Sequence, residues 1–296
     1  MALGSALVLS NMVGCGEVGS SSGTPDAMPR MCAPTAKFGS PVEISELRTV
    51  DGHTPRLSAD ELTIYFYTVP QDLWSAHRRA VTEAFGTPTL LGGQNSPAEE
   101  YDPSVSSDGL TLWFASDRVA DVVQHLYVST RTSTLVDFGP PGLAATVNAM
   151  DTKQFDSQPF LTADGKELWF TSTRAGGLGG FDIWRAARVG SEFATPVSVP
   201  ELNSSTDDWV PTPSADRLTI YFSSARMATG VKGQFDIWTS HRDVVDDGFP
   251  APTLVDELNT AGSDFATWLS ADNCRIYGVS DRFDGVSRIY MATRQP

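Results

Sequence analysis

The sequence predicts an all-β domain, a five-bladed β-propeller of four-stranded antiparallel blades, and three observations carry that expectation. One short word recurs five times, as Leu57-Ser58-Ala59-Asp60, Val105-Ser106-Ser107-Asp108, Leu161-Thr162-Ala163-Asp164, Pro213-Ser214-Ala215-Asp216 and Leu269-Ser270-Ala271-Asp272. Its period of about fifty residues is that of propeller blades and repeat arrays. Each aspartate precedes a run rich in Trp, Tyr, Phe, Ile and Thr, while no stretch shows helical periodicity.

Within a repeat, a strand A leads into the Ser-x-Asp turn and a strand B leaves it, at Leu62–Phe66, Leu110–Phe114, Glu167–Phe170, Leu218–Phe222 and Arg275–Gly278. A strand C ends in arginine: Leu73–Arg78, Leu126–Arg131, Ile183–Arg188, Ile237–Arg242 and Ile289–Arg294. A strand D opens with an aromatic residue and a proline, at Phe38–Pro41, Phe85–Pro88, Phe138–Pro141, Phe193–Pro196 and Phe249–Pro252. The chain thus starts on a lone D strand near Phe38–Leu47 and finishes on a C strand. The N-terminal segment is therefore expected to complete blade five, closing the ring and leaving no exposed sheet edge.

Three segments are expected: residues 1–14 as a signal peptide, 15–37 as a tether, and 38–296 as the propeller. Ala2–Val13 is apolar but too short to span a bilayer, and Gly16–Pro34 is dominated by Gly, Ser, Pro and Ala. Met12-Val13-Gly14-Cys15 resembles the lipobox of bacterial lipoproteins, which implies cleavage before Cys15 and a diacylglycerol on its thiol. Two cysteines remain, Cys32 and Cys274. An exported compartment allows them to pair, and the closure scheme brings their segments together; two free thiols are the alternative.

Lys and Arg number 21 against 36 Asp and Glu, a formal net charge of −15. Such a chain repels nucleic acid and anionic membrane surfaces. Cationic, neutral or metal ligands stay open, and membrane contact is expected only through the lipid anchor.

The repeat resembles the TolB-like, WD-repeat-like propeller family, whose blades carry Pro-x-x-Ser-x-Asp-Gly, then Phe-x-Ser-x-Arg, then an Ile-Tyr or Ile-Trp strand. Blade two supplies Pro103, Ser107, Asp108, Gly109, Phe114, Ser116, Arg118 and Leu126-Tyr127. Blade three supplies Pro159, Asp164, Gly165, Phe170, Ser172, Arg174 and Ile183-Trp184. The resemblance implies an envelope propeller used for binding a protein or other ligand, and it implies no chemistry.

Where strand A begins, the five blades carry Gly52, Glu100, Asp156, Asp208 and Asp264. Four acids at equivalent positions are candidates for a cation such as calcium. The same four blades carry Arg118, Arg174, Arg226 and Arg282 after strand B, whereas blade one has Pro70. Acid and arginine come and go together, which favours structural carboxylate–guanidinium bridges.

Beside the acids stand His53, Tyr101, Ser157, Trp209 and Phe265, and with Asp102 and Asp207 they form the expected ligand-binding face. Aromatic residues there suit a peptide or a sugar, or they plug the mouth by packing together. The longest B-to-C loops, Arg174–Gly180 and Arg226–Gln234, place a site toward blades three and four. No nucleophile elbow, zinc spacing or phosphate loop appears. The expected function is a non-catalytic, monomeric envelope propeller for a protein or peptide. The alternative is a carbohydrate-binding or glycosidase-like propeller, in which Asp102 with Glu100, or Asp207 with Asp208, forms the carboxylate pair.

Overall fold

The computed structural model describes Met1 and residues 31–119, 123–149 and 154–295. Cys15, the signal peptide and most of the tether lie outside the described residues. The described residues from Met31 onward belong to one compact unit, Met31–Pro296.

The unit begins with β1 (Val42–Glu43) and a short 3-10 turn at Ser45–Leu47. Blade one is β2 (His53–Leu57), β3 (Thr63–Tyr67), β4 (Leu73–His77) and β5 (Thr89–Leu90). Blade two is β6 (Glu100–Val105), β7 (Thr111–Ser116), β8 (His125–Thr130) and β9 (Gly142–Leu143). Blade three comprises β10 (Asp156–Leu161), β11 (Glu167–Ser172), β12 (Asp182–Val189), β13 (Glu192–Phe193) and β14 (Val197–Ser198). Blade four is β15 (Asp208–Pro213), β16 (Thr219–Ser224), β17 (Asp236–His241) and β18 (Thr253–Leu254); blade five holds β19 (Asp264–Leu269), β20 (Arg275–Ser280) and β21 (Arg288–Thr293).

Strand order within each blade follows the chain, except in blade five, where β1 pairs antiparallel with β21 through Val42↔Met291 and Glu43↔Tyr290. The ring is closed as the repeat count requires. The expected D strand over Phe38–Leu47 is mostly irregular, yet its backbone still docks, with Gly39 N–H donating to Thr293 O and Ile44 N–H to Ile289 O. Cys32 and Cys274 form a disulfide across the same junction, with Cα atoms 5.1 Å apart. Blade three adds a small hairpin that the repeat does not announce, β13 folding back on the overlong β12.

Successive residues of a strand point to opposite faces, and here both faces of each B strand are covered. Ile64 and Phe66 pack toward blade five while Tyr65 packs toward blade two. Leu168 and Phe170 face blade two while Trp169 faces blade four. One apolar cluster fills each seam between neighbouring blades. A sheet buried on both faces needs a continuous apolar run rather than alternation, which is why the B strands read as they do.

The repeat words have repeated contacts. Each turn hydroxyl donates to its aspartate, as in Ser58 to Asp60 at 2.6 Å and Thr162 to Asp164 at 2.8 Å. The aspartate in turn accepts an amide two residues on, Leu62 N–H at 3.0 Å in blade one. The terminal arginine of each C strand lies over the aromatic ring that opens strand D: Arg78 on Phe85, Arg131 on Phe138, Arg188 on Phe193, Arg242 on Phe249, and Arg294 on Phe38, at 4.2 to 4.5 Å. The last pair joins the two ends of the chain.

Candidate functional site

The A strands β2, β6, β10, β15 and β19 contact one another in a ring around the central axis. Their first residues surround one mouth of the channel, and the Ser-x-Asp turns surround the other.

At the first mouth the four acids are fully buried and individually partnered. Arg118 Nη2 lies 3.0 Å from Glu100 Oε1, Arg174 Nη2 2.5 Å from Asp156 Oδ1, and Arg226 and Arg282 Nη2 each 2.6 Å from Asp208 and Asp264 Oδ1. The same guanidinium groups donate to backbone carbonyls of the preceding blade, at Gln94, Val147, Leu202 and Leu258. The second carboxylate oxygens accept the backbone N–H groups of Ser96, Ala149, Ser204 and Thr260. Each pair therefore ties one blade to the next. Among the described residues, no group of three or more His, Cys, Asp or Glu side chains is placed to hold a metal ion. In blade one a Cβ on Gly52 would come within 2.8 Å of Ile289 Cδ1 and 3.2 Å of Phe66. Apolar packing against blade five takes the place of the missing pair.

Around these acids the aromatic side chains form two arcs. His53 stacks on Tyr67 with centroids 5.2 Å apart, and Tyr67 meets Tyr101 edge-on at 5.5 Å. Burial lowers the pKa of His53, opposed by Asp51 and Asp102. The larger arc runs over blades three to five. Phe155 meets Phe181 at 6.1 Å, Phe181 meets Trp209 at 5.5 Å, Trp209 stacks on Phe235 at 4.6 Å, and Phe265 closes on both. Phe155, Phe181, Trp209 and Phe265 remain half-exposed, and Phe235 is buried beneath them. The indole N–H of Trp209 meets no acceptor.

The backbone fixes this platform. Phe181 O accepts Asp208 N–H at 2.8 Å and Phe235 O accepts Asp264 N–H at 2.9 Å, so each phenylalanine sits against the next blade's inner strand. The two long loops are pinned as well: Asp182 accepts the N–H groups of Leu178 and Gly179, and Asp236 those of Lys232 and Gly233. A Cβ on Gly233 would lie 1.6 Å from Gly262 O, so only glycine permits that approach. Exposed or half-exposed carboxylates border the mouth. Asp207 accepts Phe181 N–H at 2.9 Å, Asp117 accepts Glu99 N–H at 2.8 Å, Glu99 accepts the Tyr101 hydroxyl, and Asp281 accepts Ser263 N–H at 3.1 Å.

Asp102 is elsewhere. Thr54, Asp102, Gln158 and Val210 take positive φ values of 42°, 54°, 56° and 56°, and a bulge at this level bends each of their strands. Such φ values are uncommon for residues with a Cβ and mark bulged strands. The Asp102 side chain is thereby turned into the protein, where its carboxylate accepts the Ser157 hydroxyl at 2.6 Å and is fully buried. Burial raises its pKa, against donation by Ser157 and Thr54. Ser157 thus belongs to this inner pair, while Trp209 and Phe265 form the platform and His53 and Tyr101 the smaller arc.

Sequence reasoning missed three features. Phe181 and Phe235 open a repeated Phe-Asp-Ile-Trp word, at 181–184 and 235–238, which was there to be read. Arg56, next to Pro55 in β2, stands where other blades carry Ser104, Phe160, Thr212 and Trp268, and it is the only charged residue at that level. A groove of about 970 Å³ between blades one and two, lined by Tyr65, His77, Gln94, Arg131 and Asp137, has no sequence signature.

No family model and no curated protein matches this sequence. Among solved structures the chain is similar to a thermostable family-43 glycoside hydrolase, at 12% identity and a TM-score of 0.58 over 83% of this chain and 95% of that one. An α-L-arabinofuranosidase from Lactobacillus brevis gives 12% identity and a TM-score of 0.56 over 83% and 90%. TolB from Acinetobacter baumannii is more distant, at 15% identity and a TM-score of 0.49; the alignment takes 82% of this chain and 55% of that one. At such identities the likeness is one of fold. The class is a disulfide-closed five-bladed β-propeller, and the disulfide points to an oxidising, extracytoplasmic compartment.

Proposed function

We propose that this chain is a non-catalytic binding propeller of the cell envelope, anchored by lipid at Cys15, that takes a protein or peptide segment at the aromatic mouth. The observation that carries the reading is the platform of Phe155, Phe181, Trp209 and Phe265 on buried Phe235, half-exposed and held by backbone hydrogen bonds. Rigid aromatic rings give large contact area at little entropic cost. The carboxylates of Asp207, which holds Phe181 N–H, and of Asp281, which holds Ser263 N–H, favour a segment bearing Lys or Arg, which aromatic faces also attract. The acids beside the mouth that a glycosidase would need are already engaged: Asp208 by Arg226, Glu100 by Arg118, and Asp102 inside the protein.

A carbohydrate ligand is the second reading, because the same half-exposed rings can stack on sugar faces. Selection from a displayed peptide library and from a glycan array, on the wild-type protein and on Trp209→Ala in parallel, separates the two. Cationic, aromatic-rich peptides retained by the wild type and lost by the variant support the proposal. Glycans retained in their place establish the second reading, and peptide retention unchanged by the substitution contradicts the proposed site.

A further inference from the structure

We propose that the outer seams between blades one and two and between blades four and five are a matched pair of binding sites for a neutral saccharide. The groove of about 970 Å³ in the first seam has a counterpart of about 450 Å³ in the second. Both are open to solvent and fall within the size of small-molecule sites, about 300–1,000 Å³. Set side by side in the register of the blades, the two share their floor. Thr63 faces His77 and Tyr65 faces Ser75 across β3 and β4, as Thr219 faces His241 and Tyr221 faces Thr239 across β16 and β17. The next strand adds Thr89 opposite Ser75 and Thr253 opposite Thr239. All of these residues line the grooves.

The other three seams carry bulk or ion pairs at the same register. Trp113 stands opposite Val128, and its indole meets Phe193 edge-on at 5.7 Å. Trp169 stands opposite Arg185, which pairs with Glu167 at 2.8 Å. Arg275, at the place of Thr63, binds Glu61 of blade one at 2.6 Å. Filling a seam is what stability alone selects. The same open floor built twice is what a ligand selects.

That floor is made of hydroxyls and imidazole. Thr63 Oγ1 lies 3.3 Å from His77 Nδ1 and Thr219 Oγ1 2.9 Å from His241 Nδ1, so each exposed ring is held through Nδ1. Tyr65 hydrogen-bonds Arg131 of the next blade, and Tyr221 accepts from Arg294 in the same way. The rims, by contrast, differ in charge: Asp137 precedes the ring of Phe138 in the first groove, and Lys37 precedes that of Phe38 in the second. An ion favoured by one rim is opposed by the other, so a ligand common to both is neutral. Sugar hydroxyls, each a donor and an acceptor, match a floor of Ser and Thr hydroxyls. A peptide strand fits less well, because β5 and β18, two residues each, leave little free edge for it to pair with. These sites lie on the outer seams and stand independently of the aromatic platform.

The test is an array of immobilised neutral and charged glycans, probed with the oxidised wild type, with Trp209→Ala and with a Ser75→Met, Thr239→Met double variant. Methionine is what blade five carries at that register, as Met291, so the fold accommodates it. Neutral glycans are expected to be retained by the wild type and by Trp209→Ala, and to bind the double variant at least about tenfold more weakly, as the loss of one or two hydrogen bonds implies. Calorimetric titration with the best-retained oligosaccharide should count two sites per chain in the wild type and one in Ser75→Met. The His77→Ala, His241→Ala variant, at exposed positions, should weaken the same glycans, and it decides the matter if the methionine variant does not fold. No neutral glycan retained, retention abolished by Trp209→Ala, a single site in the wild type, or retention unchanged by the groove variants would overturn the proposal.

Discussion

The Asp108 carboxylate accepts the Ser106 hydroxyl at 2.5 Å and the Leu110 amide at 2.9 Å, and these donors hold its pKa below the ordinary carboxylate range. Asp60, Asp164 and Asp272 are lowered too, burial opposing the shift and the equivalent donors outweighing it. A carboxyl whose folded pKa is depressed adds stability that is complete above its unfolded value, about 3.9, and is lost as pH falls through the folded value. Acid unfolding should therefore steepen below about pH 4. Asp108→Asn keeps the acceptor oxygen but cannot titrate. Urea denaturation at a series of pH values should show nearly unchanged stability at pH 7 and a shallower loss of stability below about pH 4 than in the wild type. What was legible at this scale was whatever recurs: the turn aspartates, the acid–arginine pairs, the terminal arginines. The burial of Arg56 and the inward turn of Asp102 were not, because each side chain's direction follows from a bulge with positive φ at Thr54 and Asp102, which repeat position alone does not give.

Among the elements, β1 is only two residues long and is held by its neighbours. Arg294 over Phe38, the amides of Gly39 and Ile44, and the Cys32–Cys274 disulfide all act on this one junction. Removing a native disulfide typically costs about 2–5 kcal/mol. The Cys32→Ser, Cys274→Ser double variant should lose that much in urea denaturation. Its β1 and β21 amides should become the first to exchange in hydrogen–deuterium exchange, while those of β7 and β11 stay protected. Uniform acceleration across all blades would show instead that closure is not the local clasp described. The closing strand was legible because blade five lacked a D segment and the N-terminus had one to spare. Its irregularity was not, since the docking uses backbone groups to which any sequence could contribute.

For the molecule as a whole, the ring is a set of five seams, each filled from both sides, and its function must come from the two mouths or the outer grooves. Equivalence by repeat is enough to put the acids and their aromatic neighbours on one face. It does not show that the platform gathers over blades three to five, because Phe155 precedes strand A and Phe181 and Phe235 precede strand C. Three-dimensional proximity, not equivalence by position, brings them to Trp209. The groove of about 970 Å³ between blades one and two is larger, but it is lined mainly by Gly, Ser, Thr and Asp and has no comparable cluster of rings. The measurement that tests the central claim most directly is hydrogen–deuterium exchange of the protein with a peptide selected on it. The account predicts new protection at 178–183, 207–211, 233–237 and 263–266. Protection confined to 58–60, 75–77, 89–94 and 131–138 would put the ligand in the groove and contradict it.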